Sequence, residues 1–154
     1  MIVTDDSLPR DLVVRGIALE DAMAVAELCG QLGYPASDAE IVERIKDLLT
    51  RAGDQVAYVA CLGDEVVGWL EVSIVHHLQS APYALIGGLV VRDGVRSLGV
   101  GRRLCAEVEE WSRGKGMGVL RVSSRMTRKD AHRFYLRNGF LQTKTSAVFE
   151  KVLS

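Results

Sequence analysis

The stretch Leu89-Val90-Val91-Arg92-Asp93-Gly94-Val95-Arg96-Ser97-Leu98-Gly99-Val100-Gly101-Arg102-Arg103-Leu104 constrains this chain more than any other part of it. Its first residues are apolar and β-branched, as in a buried strand. A polar turn follows, and from Val100 the apolar positions Leu104, Val108 and Trp111 recur at i+4, i+8 and i+11, the stripe of an amphipathic helix. A strand that runs through a short turn into such a helix requires a layered α/β fold, because the helix must bury its stripe on a sheet. The helix opens at Gly99 and Gly101. A helix N-terminus presents unpaired N–H groups and the positive end of the helix dipole, and glycines let an anion come close to that backbone. The turn therefore suits a phosphate or pyrophosphate, and Arg96, Arg102 and Arg103 add local positive charge.

The rest of the chain supplies the layers. Residues 12–17 read as a first strand. Residues 21–32 are Ala-rich and helical, with Gly33 as the stop and Pro35 as a break. Ser37-Asp38-Ala39-Glu40 is a capping box for a second helix, with Ile41, Ile45, Leu48 and Leu49 expected on one face before Gly53. Residues 56–61 and 66–75 form a hairpin around Leu62-Gly63-Asp64-Glu65, and residues 84–91 are a third apolar run. After the glycine-led helix, which ends by Gly114 and Gly116, residues 119–123 read as another strand. Thr127-Arg128-Lys129-Asp130 caps a helix carrying Ala131, Phe134 and Tyr135, ended by Asn138-Gly139. Residues 140–153 supply the last strand material. The order β-α-α-β-β-β-α-β-α-β predicts a mixed sheet, antiparallel in its early half and completed by a parallel crossover.

Composition narrows the function. The formal net charge of −1 disfavours binding by phosphate neutralisation, so no nucleic-acid partner is expected. No apolar run reaches membrane-spanning length, and residues 1–10 lack the apolar core of a signal peptide. They read as a flexible tail ahead of one domain over 11–154. Cys29, Cys61 and Cys105 are widely spaced and suit buried positions in a reducing compartment. Cytoplasmic localisation is expected. His76, His77 and His132 have no metal-ligand spacing, and no metal is expected.

Three phosphate-binding patterns compete for the glycine turn. In the P-loop pattern, Val100-Gly101 stand where Lys and Ser/Thr are required; in the dinucleotide fingerprint, Leu104 fills the third glycine position. The pattern [QR]-x-x-G-x-[GA] is met in full by Arg96, Gly99 and Gly101. Here the chain resembles the GNAT N-acetyltransferases, whose pyrophosphate loop has this pattern. Ala131-His132-Arg133-Phe134-Tyr135-Leu136-Arg137-Asn138-Gly139-Phe140 is similar to the family's second signature, A-x-x-F-Y-x-x-x-G-F, and lies on the helix where the family has it.

The resemblance implies an acyl-CoA N-acyltransferase fold, a central mixed and mostly antiparallel twisted sheet flanked by helices. It implies an enzyme that uses acetyl-CoA as cosubstrate and acetylates an amine directly. The cosubstrate lies where two strands splay apart beside a bulge, a role that Gly87-Gly88 suits. Backbone groups of Leu89 and Val91 would pair with the pantetheine arm and acetyl carbonyl, and the turn from Arg96 through Ser97, Leu98, Gly99, Val100, Gly101 and Arg102 would hold the pyrophosphate. Tyr135 matches the general acid that protonates the departing thiolate. The amine must in turn lose a proton, since a free lysine-type amine has a pKa near ~10.4.

Three positions depart from the family pattern. Ser97 and Leu98 stand where many members have glycine and a basic residue, Arg128 stands where many have Asn, and no acid lies in the strand near Gly87 and Gly88. The base is then sought among Glu71, on the apolar run Trp69-Leu70-Glu71-Val72, and His76 and His77, with a water chain as a further alternative; Glu71 is preferred. Ala131-His132-Arg133-Phe134-Tyr135 resembles members that act on aminoglycosides and other small amines, so a small-molecule amine is the expected acceptor. The acceptor region would be the first two helices with Gly33-Tyr34-Pro35, and residues 76–83. A protein N-terminus or lysine as acceptor, and a non-catalytic CoA-binding or regulatory module, stay as alternatives. A homodimer is common in the family.

Overall fold

The computed structural model describes residues 11–124, 126 and 128–154, and the tail expected over 1–10 lies outside them. Among the described residues five strands and four helices follow in the order β1 (Leu12–Gly16), α1 (Ala22–Leu32), α2 (Asp38–Leu49), β2 (Gln55–Leu62), β3 (Glu65–Val75), β4 (Tyr83–Val91), α3 (Val100–Gly114), β5 (Leu120–Val122) and α4 (Lys129–Arg137). The chain forms two compact units, the first running to Ser123 and the second comprising Ser124–Ser154.

In the first unit the sheet order is β1-β2-β3-β4-β5. The first four strands pair antiparallel, and β5 joins β4 in parallel through the α3 crossover. The expected mixed sheet is therefore present. Sequence neighbours pair as sheet neighbours because the Gly63 turn, at φ 60°, closes the β2–β3 hairpin tightly. Two bulges interrupt the ladders, one between Ala60 and Cys61 on the β2–β3 side and one opposite Glu71/Val72 on the β3–β4 side.

Helices cover both faces of this sheet. On one face, Val25, Leu28 and Cys29 of α1 and Ile41 and Ile45 of α2 form a core with Val59, Cys61, Val66 and Val90, and Trp69 packs against it. On the other, α3 buries Val100, Leu104 and Val108. It lies so close to β3 that a Cβ on Gly68 would stand 3.3 Å from Val100 and 3.4 Å from Leu104, so a side chain there would force the helix outward. The Ser37 box forms as read, with the Glu40 N–H donating to Ser37 Oγ at 3.1 Å. The α2 stripe is shorter than expected: Leu48 is half-buried, but Leu49, on the same face four residues after Ile45, is exposed at the last residue of the helix. α1 ends at Gly33, φ 99°, with the Tyr34 N–H donating to the Cys29 carbonyl, a left-handed cap that only glycine adopts without strain. Asp21 anchors the start of α1: Arg15 on β1 donates two hydrogen bonds of 2.8 Å to its carboxylate. Burial raises the Asp21 pKa, but the Arg15 bonds and the Ala18 N–H outweigh it and hold the carboxyl below its ordinary range.

In the second unit α4 ends on Gly139, φ 89°, and the Phe140 N–H closes back on the Tyr135 carbonyl at 3.0 Å. The capping box expected at Thr127 falls on a residue outside those described. The last strand expected over 140–153 is a correction. Among the described residues this segment joins no ladder, and Leu141, Val148, Phe149, Val152 and Leu153 are exposed. Apolar composition sets a strand's fit to a sheet, but only a partner edge satisfies its backbone groups.

Candidate active site

The glycine turn forms as read. β4 ends at Val91, a 3-10 turn spans Arg96–Leu98, and Gly99 caps α3 in the left-handed region at φ 79°. The α3 ladder opens with the Arg103 N–H donating to the Gly99 carbonyl at 3.1 Å. The amides just before Arg103 thus lie at the helix start, where the ladder offers them no partner and the dipole is positive. Arg96 is exposed and pairs with Asp93 at 2.9 Å, and Arg102 is exposed on the first turn. The positive charge at the turn is therefore solvated.

The bulge sits at the expected glycine pair. Glu71 lies opposite Gly88 and Val72 opposite Ile86, so Gly87 is the inserted residue. β5 pairs with β4 only from Ala84 to Ile86. From the bulge to Val91, β4 has no strand on that edge among the described residues, because β5 ends at Val122. Alternation gives the direction of the freed groups. The Arg92 N–H donates to the Val67 carbonyl across β3 at 2.7 Å, so Val91 and Leu89, one and three residues earlier, turn their backbone groups toward the free edge. Part of that edge is already used. Gln31 of α1 donates from Nε2 to the Val91 carbonyl at 2.7 Å and accepts from the Asp93 N–H at 2.9 Å. At Val91 the N–H and one lone pair of the carbonyl remain for a ligand. Sequence spacing carries no signal for Gln31, which is far from both partners along the chain.

No acid lies in β4 near the bulge, but a carboxylate of the neighbouring strand β3 lies beside it. A Cβ built on Gly87 would lie 2.6 Å from Glu71 Oε1, so the half-buried Glu71 carboxylate occupies the space beside the bulge that a side chain would take. Trp69 does the same at Gly88, where its ring would stand 2.7 Å from a Cβ. Trp69, Glu71 and Ser73 alternate along β3 and share the α1–α2 face. Gln55 of β2 donates to Glu71 Oε2 at 3.2 Å. Beyond it a cleft of about 500 Å³ is lined by residues that include Arg51, Asp54, Gln55 and Ser73. His76 and His77 are exposed past the far end of β3, and His77 Nε2 contacts the Tyr83 hydroxyl at 3.2 Å. Neither shares the bulge with Glu71. Tyr135 belongs to the second unit, where its ring packs edge-on against Phe134 and Phe140, with centroids 5.4 and 5.5 Å away.

A bulged strand whose edge is free beyond its short parallel neighbour, and which exits through a glycine turn into a helix, is the arrangement expected for β4 and the glycine turn. Residues 20–140 match the model of the acetyltransferase (GNAT) family, and the chain belongs to that family and is an N-acetyltransferase. Among its relatives, an aminoglycoside N(6')-acetyltransferase type 1 of Stenotrophomonas maltophilia is 32% identical, over 91% of this chain and 93% of the relative. An aminoalkylphosphonate N-acetyltransferase of Salmonella typhimurium is 37% identical over 55% of this chain and 56% of its own length. The fold is shared with the crystal structure of an aminoglycoside antibiotic 6'-N-acetyltransferase from Acinetobacter baumannii, with TM-score 0.79 and 20% identity, covering 93% of this chain and 99% of that one.

Proposed function

We propose that this enzyme transfers the acetyl group of acetyl-CoA to an amine of a small polar molecule, with Glu71 serving the amine and Tyr135 the leaving group. The observation that carries the reading is the freed β4 edge, which begins at a glycine bulge already filled by a carboxylate and leads into the glycine-capped start of α3. The residues present fit acetyl-CoA: an unpaired edge suits its amide-bearing arm, and a helix start suits its pyrophosphate. When bound, acetyl-CoA supplies an activated thioester.

The chain's own groups do the rest. Leu89 offers both main-chain groups and Val91 its N–H along the free edge. The main chain from Arg96 through Ser97, Leu98, Gly99, Val100 and Gly101 to Arg102 cradles the pyrophosphate, and a backbone cradle accommodates Ser97 and Leu98 where relatives carry other side chains. Glu71 binds the incoming ammonium and takes its proton; the Tyr135 hydroxyl gives a proton to the departing sulfur. The small-molecule acceptor is supported by the names of the relatives, an aminoglycoside and an aminoalkylphosphonate N-acetyltransferase. A cytoplasmic homodimer belongs to this proposal; three buried free thiols suit a reducing compartment.

The test is release of CoA thiol across a panel of aminoglycosides, aminoalkylphosphonates and polyamines, with lysine peptides as contrast. Turnover of a small amine, cut by about 100-fold or more in both Tyr135→Phe and Glu71→Gln, is expected. Turnover confined to peptides would replace the acceptor class, and no turnover of any amine would sink the reading.

A further inference from the structure

Glu71 is half-buried on the α1–α2 face of β3, and a glutamate there has three side-chain torsions to fix. Ordering so flexible a side chain costs rotamer freedom, so its placement at the bulge needs a cause. Two are present. One oxygen, Oε1, lies over Gly87, where any Cβ would collide with it. The other, Oε2, accepts the hydrogen bond from Gln55 Nε2. The sheet register makes this pairing possible: Ala57 faces Glu71 and Gln55 faces Ser73, which places Gln55 on the diagonal from Glu71 on the same face. A diagonal neighbour is out of reach of short side chains but within reach of a glutamine meeting a glutamate.

We propose that Gln55 is a positioning residue for the acetyl transfer: it holds the Glu71 carboxylate against the Gly87 bulge, where the amine is received. This rests on the reading of Glu71 given above, which assigns Gln55 no role. Gln55 need not touch the reacting atoms. Its effect runs through Glu71, and two unrelated substitutions should reproduce it. Gln55→Leu removes the hydrogen bond and keeps the bulk. Gly87→Ala introduces a Cβ that the mobile end of Glu71 must avoid, displacing the carboxylate from the other side.

The experiment is a double-mutant cycle in steady-state kinetics, with the best amine of the panel and thermal melts as the control for folding. Gln55→Leu and Gly87→Ala are each expected to lower kcat with the amine about tenfold. Gln55→Leu should leave the KM for acetyl-CoA and the melting temperature unchanged. In the Glu71→Gln background, Gln55→Leu is expected to cause no further loss. If Glu71→Gln loses activity and Gln55→Leu does not, the positioning role is wrong and the reading of Glu71 survives. If Gln55→Leu causes the same loss with and without Glu71, Gln55 acts by another route and the proposal is overturned. If Glu71→Gln turns over normally, both the reading and the proposal fall.

Discussion

Along the exit of β4 into α3, the groups proposed to meet a ligand are main-chain amides and carbonyls. On the α1–α2 face of the same sheet the proposed groups are side chains, Glu71 held by Gln55. The two regions meet at Gly87 and Gly88, where β5 has ended and where the missing Cβ atoms make room for Glu71 and Trp69. The difference teaches how each half responds to change. A main-chain site tolerates new side chains unless they alter the backbone or fill the approach. A side-chain site on a rigid sheet depends on single atoms.

The comparison breaks most visibly at Gly101. A glutamate there sets a side chain and a negative charge at the helix start, and acetyl-CoA affinity should fall at least about hundredfold, read by calorimetry. Next in size is Gln31→Leu. Loss of the two bonds that tie Val91 and Asp93 to α1 should raise the KM for acetyl-CoA about fivefold and leave the KM for the amine alone, since each such bond is worth about 1 kcal/mol. Equal changes in both constants would mean that the clamp serves the whole fold. Arg96→Ala should do less: Arg96 is exposed and pairs with Asp93, so less than about a threefold change in acetyl-CoA KM is expected, shrinking further at high salt. The smallest effect concerns the anchors beneath both regions. Burial, with Glu109 adding to it, pushes the Cys105 thiol up to about 12, and burial likewise raises Cys29. Both stay protonated at pH 8, so iodoacetamide should label them only as denaturant unfolds the chain. Rapid labelling of the native enzyme would place them on a mobile surface.

The same contrast explains what the sequence disclosed. The main-chain half was readable because a backbone site writes itself as glycines at fixed spacing: Gly99 and Gly101 open α3, and Gly87 is the bulge. The local devices, such as the Ser37 box and the Gly33 cap, were readable for the same reason. The side-chain half was not. The absent strand acid left the base open among three residues, and only the β3–β4 register brings Glu71 to the bulge. Gln31 and Gln55 were silent, because their partners lie 60 and 16 residues away along the chain. The last strand was misread because an apolar segment announces its composition and not its pairing.

The most direct measurement is calorimetric titration of acetyl-CoA into the wild type, Gly101→Glu and Glu71→Gln, each checked for a cooperative melt. The account predicts that the wild type and Glu71→Gln bind with the same affinity and that Gly101→Glu does not bind. Loss of binding in Glu71→Gln alongside Gly101→Glu would merge the two regions into one, and no binding by the wild type would contradict the assignment of the β4–α3 exit itself.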